Sequence, residues 1–335
     1  VDRSRGLGDV YKRQILLFYK FYFNKKTSLI RRKKMSIRFD GKVAIVTGAG
    51  GGLGRCHALD LAARGAKVVV NDLGGAVDGT GGSLSAAEKV VEEIKSAGGE
   101  AMANGASVTD LKQVEDMVKQ TIDTWGRVDI LVNNAGILRD KSFSKVTDED
   151  FRLVLEVHLM GTVNCCKAVW DIMKEQNYGR ILVTSSSSGV YGNFGQTNYG
   201  AAKMGVLGLI NTLKLEGAKY NIKCNGLTPV AGTRMTEDLM PPEVIEKIQP
   251  ECVSPAVTFM VSEDAPTGVV MAAGAGVFAR IMTFETMGVY FGTGDEMNAD
   301  SIAENWEKIS DMTDARPCTE GNSQAAKMFE LISKS

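Results

Sequence analysis

From Lys42 onward, short runs rich in valine and isoleucine alternate with stretches whose apolar residues recur at helical spacing. "KVAIVT" (42–47), "AKVVVND" (66–72), "EAMANG" (100–105), "RVDILVNNAG" (127–136), "RILVTSSS" (180–187) and "IKCNGLTP" (222–229) read as strands. Between them the pattern predicts helices from about Leu53 to Arg64, over 83–99, over 110–126, from about Asp148 to Gln176, and over 196–220. Parallel strands need a crossover of a dozen or more residues, and a helix supplies it. Alternation at this spacing therefore predicts an α/β fold with a doubly wound parallel sheet.

The pattern changes after about Gly276. "VFARIMTFETMGVYFGTGDEMN" (277–298) has β-like and turn-like composition, whereas "ADSIAENWEKISD" (299–311) and "SQAAKMFELISK" (323–334) read as helices. We divide the chain into a domain over 35–275 and an extended C-terminal region over 276–335. Met282, Met287, Met297 and Trp306 in that region are expected to be core or dimer contacts. The first 34 residues differ from the rest. They hold eleven Lys and Arg against two Asp, a net of +9 within an overall −1, which leaves −10 for residues 35–335. Their opening, "VDRSRGLGDVYKRQ", resembles translated adapter sequence, so 1–34 is read as a non-native or disordered leader. A basic targeting peptide and a basic arm are the alternatives. Their apolar run "ILLFYKFYF" is too short to span a bilayer. An acidic body argues against nucleic acid as a partner. Six cysteines without a C-x-x-C pair fit a reducing compartment, and two histidines exclude a multi-histidine metal site.

"VTGAGGGLGR" (46–55) follows a strand and opens a helix, the context a phosphate-binding turn requires. Gly48 makes the tight turn. Gly52, Leu53 and Gly54 bring backbone close to a pyrophosphate at a helix N-terminus, which favours anions. The second strand ends in Asp72, 24 residues past Gly48. A carboxylate there accepts hydrogen bonds from adenosine ribose hydroxyls and repels a 2′-phosphate. The expected cofactor is NAD rather than NADP. Gly51, where a base would favour NADP, agrees; Arg55 could soften the preference.

Three further pieces follow in order: "NNAG" (133–136) after the fourth strand, Ser186, and Tyr199-x-x-x-Lys203 thirteen residues beyond it. Tyr199 and Lys203 are four apart and share a helix face. Together these motifs closely resemble the short-chain dehydrogenase/reductase family. "NDLGG" (71–75), "NNAGILRDKSF" (133–143), "VHLMG" (157–161), "GVYGNFGQTNY" (189–199), "AGTRMTEDLMP" (231–241) and "NADSIAENWEKISD" (298–311) narrow the resemblance. They look like the (3R)-hydroxyacyl-CoA dehydrogenase part of the peroxisomal multifunctional enzyme type 2 family.

That resemblance covers nearly all of 38–335. It implies a Rossmann-type three-layer sandwich, usually homodimeric, that oxidises an acyl-CoA substrate in fatty-acid β-oxidation. It implies Tyr199 as general base, Lys203 as the cation that lowers the tyrosine pKa and holds nicotinamide-ribose hydroxyls, and Ser186 as donor to the substrate oxygen. The residues alone do not rank Ser186 above Ser185 or Ser187. Ser107 and Val108 are expected at the adenine, Asn134, Ala135 and Gly136 along the cofactor, and Ala231 and Thr233 at the nicotinamide end. His158 stands where the wider family has an asparagine that kinks the long helix and holds a water. It is expected either to sustain a proton relay or to be a satisfied core histidine. The alternatives are a dehydrogenase of steroids or other secondary alcohols, and an inactive NAD-binding scaffold. The resemblance implies a peroxisome. The chain ends "SKS" rather than the peroxisomal S-K-L, so a cytoplasmic location is the other expectation.

Overall fold

A computed structural model of the chain describes residues 37–75, 78–81, 83–232 and 247–334. The leader read over 1–34 lies outside the described residues, as do Thr233 and Arg234. The described strands and helices alternate: β1 (Val43–Thr47), α1 (Gly52–Ala63), β2 (Lys67–Asn71), α2 (Ser85–Ser96), β3 (Glu100–Asn104), α3 (Leu111–Trp125) and β4 (Ile130–Asn133). There follow α4 (Asp148–Leu155), α5 (Gly161–Glu175), β5 (Gly179–Thr184), α6 (Ser187–Tyr191), α7 (Thr197–Gly217), β6 (Ile222–Pro229), α8 (Ser254–Met260) and β7 (Val270–Gly274).

The sheet runs β3-β2-β1-β4-β5-β6-β7 with every pair parallel. An eighth strand, β8 (Val277–Ile281), closes it antiparallel to β7. β1 starts the chain's outward run to β2 and β3, and β4 begins the opposite run. The sheet therefore changes direction between β1 and β4, where α/β sheets bind ligands beyond their strand ends. Alternating strand residues feed two cores. Ala44, Val46, Val68, Val70, Ile130 and Val132 pack beneath α1 and α2, while Ile45, Val69, Leu131, Ile181 and Val183 pack beneath α3, α5 and α7. Strands buried on both faces need the near-continuous apolar runs seen in the sequence.

Helix ends follow their capping residues. Asp110 accepts the Gln113 N–H before α3, Gly126 closes it in the left-handed region, and Thr147 accepts the Asp150 N–H before α4. The helix expected over 148–176 is interrupted by a π-helical turn over Glu156–Met160. There the Gly161 N–H donates to the Glu156 carbonyl, five residues back, and the Thr162 hydroxyl donates to the His158 carbonyl. The helix expected over 299–311 is two short ones, α9 (Ala299–Glu304) and α10 (Trp306–Ile309). β9 (Phe284–Glu285) pairs with β10 (Arg316–Pro317), and α11 (Asn322–Ser333) ends the described chain. Met282 and Met287 are half-buried, whereas Met297 and Trp306 stand exposed on the single chain. Among the described residues no helix is long and apolar enough to cross a membrane.

Candidate active site

The glycine turn is held by close backbone approach. A Cβ on Gly48 would lie 2.8 Å from Ala135 Cα, and one on Gly54 would lie 2.1 Å from the Gly48 carbonyl oxygen. The turn after β4 grips it from the side. Asn134 Nδ2 donates to the carbonyls of Thr47 and Gly48, both at 3.0 Å, and Thr47 Oγ1 accepts the N–H groups of Asn134 and Ala135 at 3.0 and 3.1 Å. The unpaired N–H groups of the first turn of α1 then face a cleft of about 370 Å³.

Asp72 stands at one end of this cleft. Its Oδ2 accepts the Gly50 N–H at 2.7 Å and its Oδ1 the Gly74 N–H at 2.6 Å, so the carboxylate is held in place. Gly48, Gly52, Leu53, Ser107, Val108, Asn134, Ala135 and Gly136 line the same cleft, and so do Ser186, Tyr199, Lys203 and His158. Residues far apart in sequence thus meet at the strand ends. Gly54 lies beneath the turn rather than on the wall, and Ala231 is buried in the core beyond β6.

The four serines separate by what they touch. Ser185 is buried and its hydroxyl donates to the Lys203 carbonyl at 2.7 Å. Ser186 caps α6, its Oγ accepting the Ser188 N–H at 3.2 Å, and its hydroxyl lies near enough to Tyr199 to draw the phenol pKa down. Ser187 is exposed, and the Ser188 hydroxyl donates to Gln196 Oε1 at 2.7 Å. Ser186 alone therefore reaches the tyrosine from the cleft wall.

Tyr199 is raised above the ordinary phenol pKa by burial first; the Ser186 hydroxyl opposes this, and the Asp140 charge adds to it. Lys203 Nζ donates to the Thr184 carbonyl at 2.6 Å and lies 5.6 Å from the Tyr199 ring centroid. Burial pushes Lys203 down from 10.5 to about 7. Between those values the unfolded chain holds a proton on this amine that the folded protein does not. Unfolding then takes up a proton, so stability rises with pH. Urea unfolding of the unliganded protein should show wild type gaining on Lys203→Met by up to about 1.4 kcal/mol per pH unit between pH 7 and 10. Parallel profiles would overturn the assignment of that burial penalty.

His158 sits in the π turn, with its ring edge-on to Tyr199 at 5.1 Å between centroids. Its Nε2 lies 3.1 Å from the Ile137 nitrogen and 2.8 Å from the Ile137 oxygen, while its buried Nδ1 has no partner. Burial, then the Lys203 charge, hold it well below the usual imidazole range, against the Ile137 bond. The ring is therefore neutral. It also packs where Gly136 leaves room, since a Cβ there would lie 2.3 Å from His158 Cε1.

Sequence reasoning missed Asn71, Thr184 and Pro229, which also line the cleft. Each ends a parallel strand, and that position was the available signal. It also missed Ile137, Leu153 and Val157, apolar wall residues that look like any other core positions.

A family model described as short chain dehydrogenase matches residues 42–243. The chain is 51% identical to peroxisomal multifunctional enzyme type 2 of Mus musculus over 281 residues, which are 83% of this chain and 38% of the mouse protein. It thus spans well under half of that relative's length. The solved structure of full-length peroxisomal multifunctional enzyme type 2 from Drosophila melanogaster superposes with a TM-score of 0.74 at 37% identity, covering 89% of this chain and 50% of that one. A 7α-hydroxysteroid dehydrogenase solved with NADH and 7-oxo glycochenodeoxycholic acid gives a TM-score of 0.64 at 30% identity, covering 71% and 95%. With a family model matching most of its length and a half-identical relative over most of its residues, the chain belongs to the short-chain dehydrogenase family.

Proposed function

We propose that this protein oxidises (3R)-3-hydroxyacyl-CoA to 3-ketoacyl-CoA with NAD, in fatty-acid β-oxidation. The observation that carries the substrate class is the 51% identity to the multifunctional enzyme across 83% of the chain. The peroxisomal setting in that relative's name enters as part of the same proposal.

The residues present fit a dinucleotide. A cradle that any Cβ at Gly48 or Gly54 would fill opens onto a helix N-terminus, and a carboxylate stands at its end. When bound, NAD supplies the hydride acceptor and a positive ring beside the phenol. Gly52 and Leu53 would present backbone to the pyrophosphate, and Gly54 beneath them lets α1 approach the turn. Asp72 already accepts two backbone N–H groups, and its remaining lone pairs accept ribose hydroxyls. Ser107 and Val108 would flank the adenine, and Asn134, Ala135 and Gly136 would support the nicotinamide side; Thr233, expected there as well, lies outside the described residues.

Tyr199 takes the proton from the substrate hydroxyl as its carbon is oxidised. Burial keeps the phenol protonated in the free protein, so a neighbouring positive charge is needed to release it. Lys203 supplies that charge when protonated, below about pH 7 in the free protein, and would hold the ribose hydroxyls; the positive ring of bound NAD would add to it. Ser186, on the same cleft wall as the phenol, orients the substrate oxygen. Neutral His158 anchors the Ile137 backbone and stands edge-on to the tyrosine; its unpartnered Nδ1 supports the proton relay over a satisfied core histidine.

The likeness to a hydroxysteroid dehydrogenase favours one second reading, a dehydrogenase of steroids or other secondary alcohols. NADH formation by the purified protein separates the two. We expect turnover with the 3R isomer of a 3-hydroxyacyl-CoA and NAD, and little with the 3S isomer or with NADP. Turnover of hydroxysteroids alone would overturn the acyl-CoA reading.

A further inference from the structure

Arg55 begins the second turn of α1, and its N–H donates to the Gly51 carbonyl at 3.1 Å. It therefore stands one turn below Gly51, a residue of the cleft wall. Helix side chains tilt toward the N-terminus, so a free arginine at 55 would lean toward the adenosine end. It does not do so here. Its Nε donates to Glu93 Oε1 at 3.1 Å and its second guanidinium arm pairs with Glu93 Oε2. Glu93 is on α2, seven residues past Ala86 and on the same face. Ala86 marks the adenosine end, because a Cβ on Gly50 would lie 2.8 Å from Asp72 Cγ and 2.9 Å from Ala86 Cβ. Two helical turns place Glu93 about 10 Å further down the groove between α1 and α2. The fork-to-carboxylate geometry is the strong form of this pair. Among the described residues lining the cleft only His158 and Lys203 are basic, and both sit beside Tyr199.

We propose that Glu93 is a positioning residue for cofactor choice, its pair with Arg55 keeping the guanidinium out of reach of an adenosine 2′-phosphate. Two carboxylates then reject NADP by different routes. Asp72 repels the phosphate directly, and Glu93 withholds the cation that would receive it. The proposal rests on the reading of the cleft as an NAD site.

Equilibrium titration with NADH and NADPH tests it on wild type, Asp72→Ser, Asp72→Ser/Glu93→Gln, and that double variant carrying Arg55→Ala. Freeing Arg55 in the Asp72→Ser background should tighten NADPH binding about tenfold. The gain should vanish when Arg55→Ala is added, and should shrink with added salt. Asp72→Asn provides a second background and Glu93→Ala a second release of Arg55, with the same direction expected. Equal NADPH affinity with and without Glu93, or a gain that survives Arg55→Ala, would overturn the proposal. Wild type binding NADPH as tightly as NADH would overturn the NAD reading itself, and that comparison involves no Glu93 variant.

Discussion

Tyr199→Phe is expected to lower kcat for the proposed 3-hydroxyacyl-CoA oxidation by about 10³-fold while NADH still binds. The phenylalanine keeps the ring that packs edge-on against His158 and beside Lys203, so the cleft wall survives. What disappears is the oxygen proposed to take the substrate proton, while the Ser188 N–H still holds Ser186. Stopped-flow turnover and NADH titration on the same sample read the two effects apart. Near-normal turnover would sink the role given to Tyr199. Loss of cofactor affinity in step with turnover would instead show a damaged cleft.

Gly54→Ala is expected to do the reverse and strike binding and stability first. Alanine favours a helix over glycine by about 1 kcal/mol. The new Cβ, however, would stand 2.1 Å from the Gly48 oxygen and 2.6 Å from Asn134 Nδ2, the atom that clamps the turn. The first is backbone, and the second is a side-chain end tied down by two hydrogen bonds. The turn must open, and we expect a net loss of about 2–4 kcal/mol in urea unfolding. NADH affinity should fall about 100-fold, since opening the turn withdraws the backbone that faces the pyrophosphate. An unchanged midpoint and an unchanged dissociation constant would show that the approach of α1 to the turn is looser than the geometry implies.

Much of this architecture is legible in the residues. β1, β2, β4 and β5 are apolar runs flanked by turns or helical patterns, and a strand covered on both faces has to look like that. The π turn is not legible. It adds a residue to one turn of an otherwise unbroken helical pattern, and only the five-residue step from Glu156 to Gly161 betrays it. α8 and β7 escaped notice because 254–274 mixes proline and small residues with short apolar runs. The helix over 299–311 breaks at Asn305, a poor helix residue whose side chain donates to the Ser301 carbonyl. In the site, the glycine turn, Asp72, Tyr199 and Lys203 carry their chemistry in type and spacing. The choice among Ser185, Ser186 and Ser187 does not, because it depends on where β5 stops and which way the chain then turns. Ser185 still points into the protein toward Lys203, and one residue later the chain has turned to the cleft.

The clamp between the β1 and β4 turns joins Thr47 to Asn134 across 87 residues of chain. No local segment can make that contact early, and closing a loop of this length slows folding. A chain emerging from the ribosome at about 5–20 residues per second has its glycine turn long before it has the partner that holds the turn. Lys203 and Pro229 come later still. The dinucleotide can therefore recognise only a molecule whose central sheet is finished, and by binding that state alone it draws half-folded chains toward it. Cofactor supply in the cell would then act on how much of this protein accumulates, as well as on how fast each copy works.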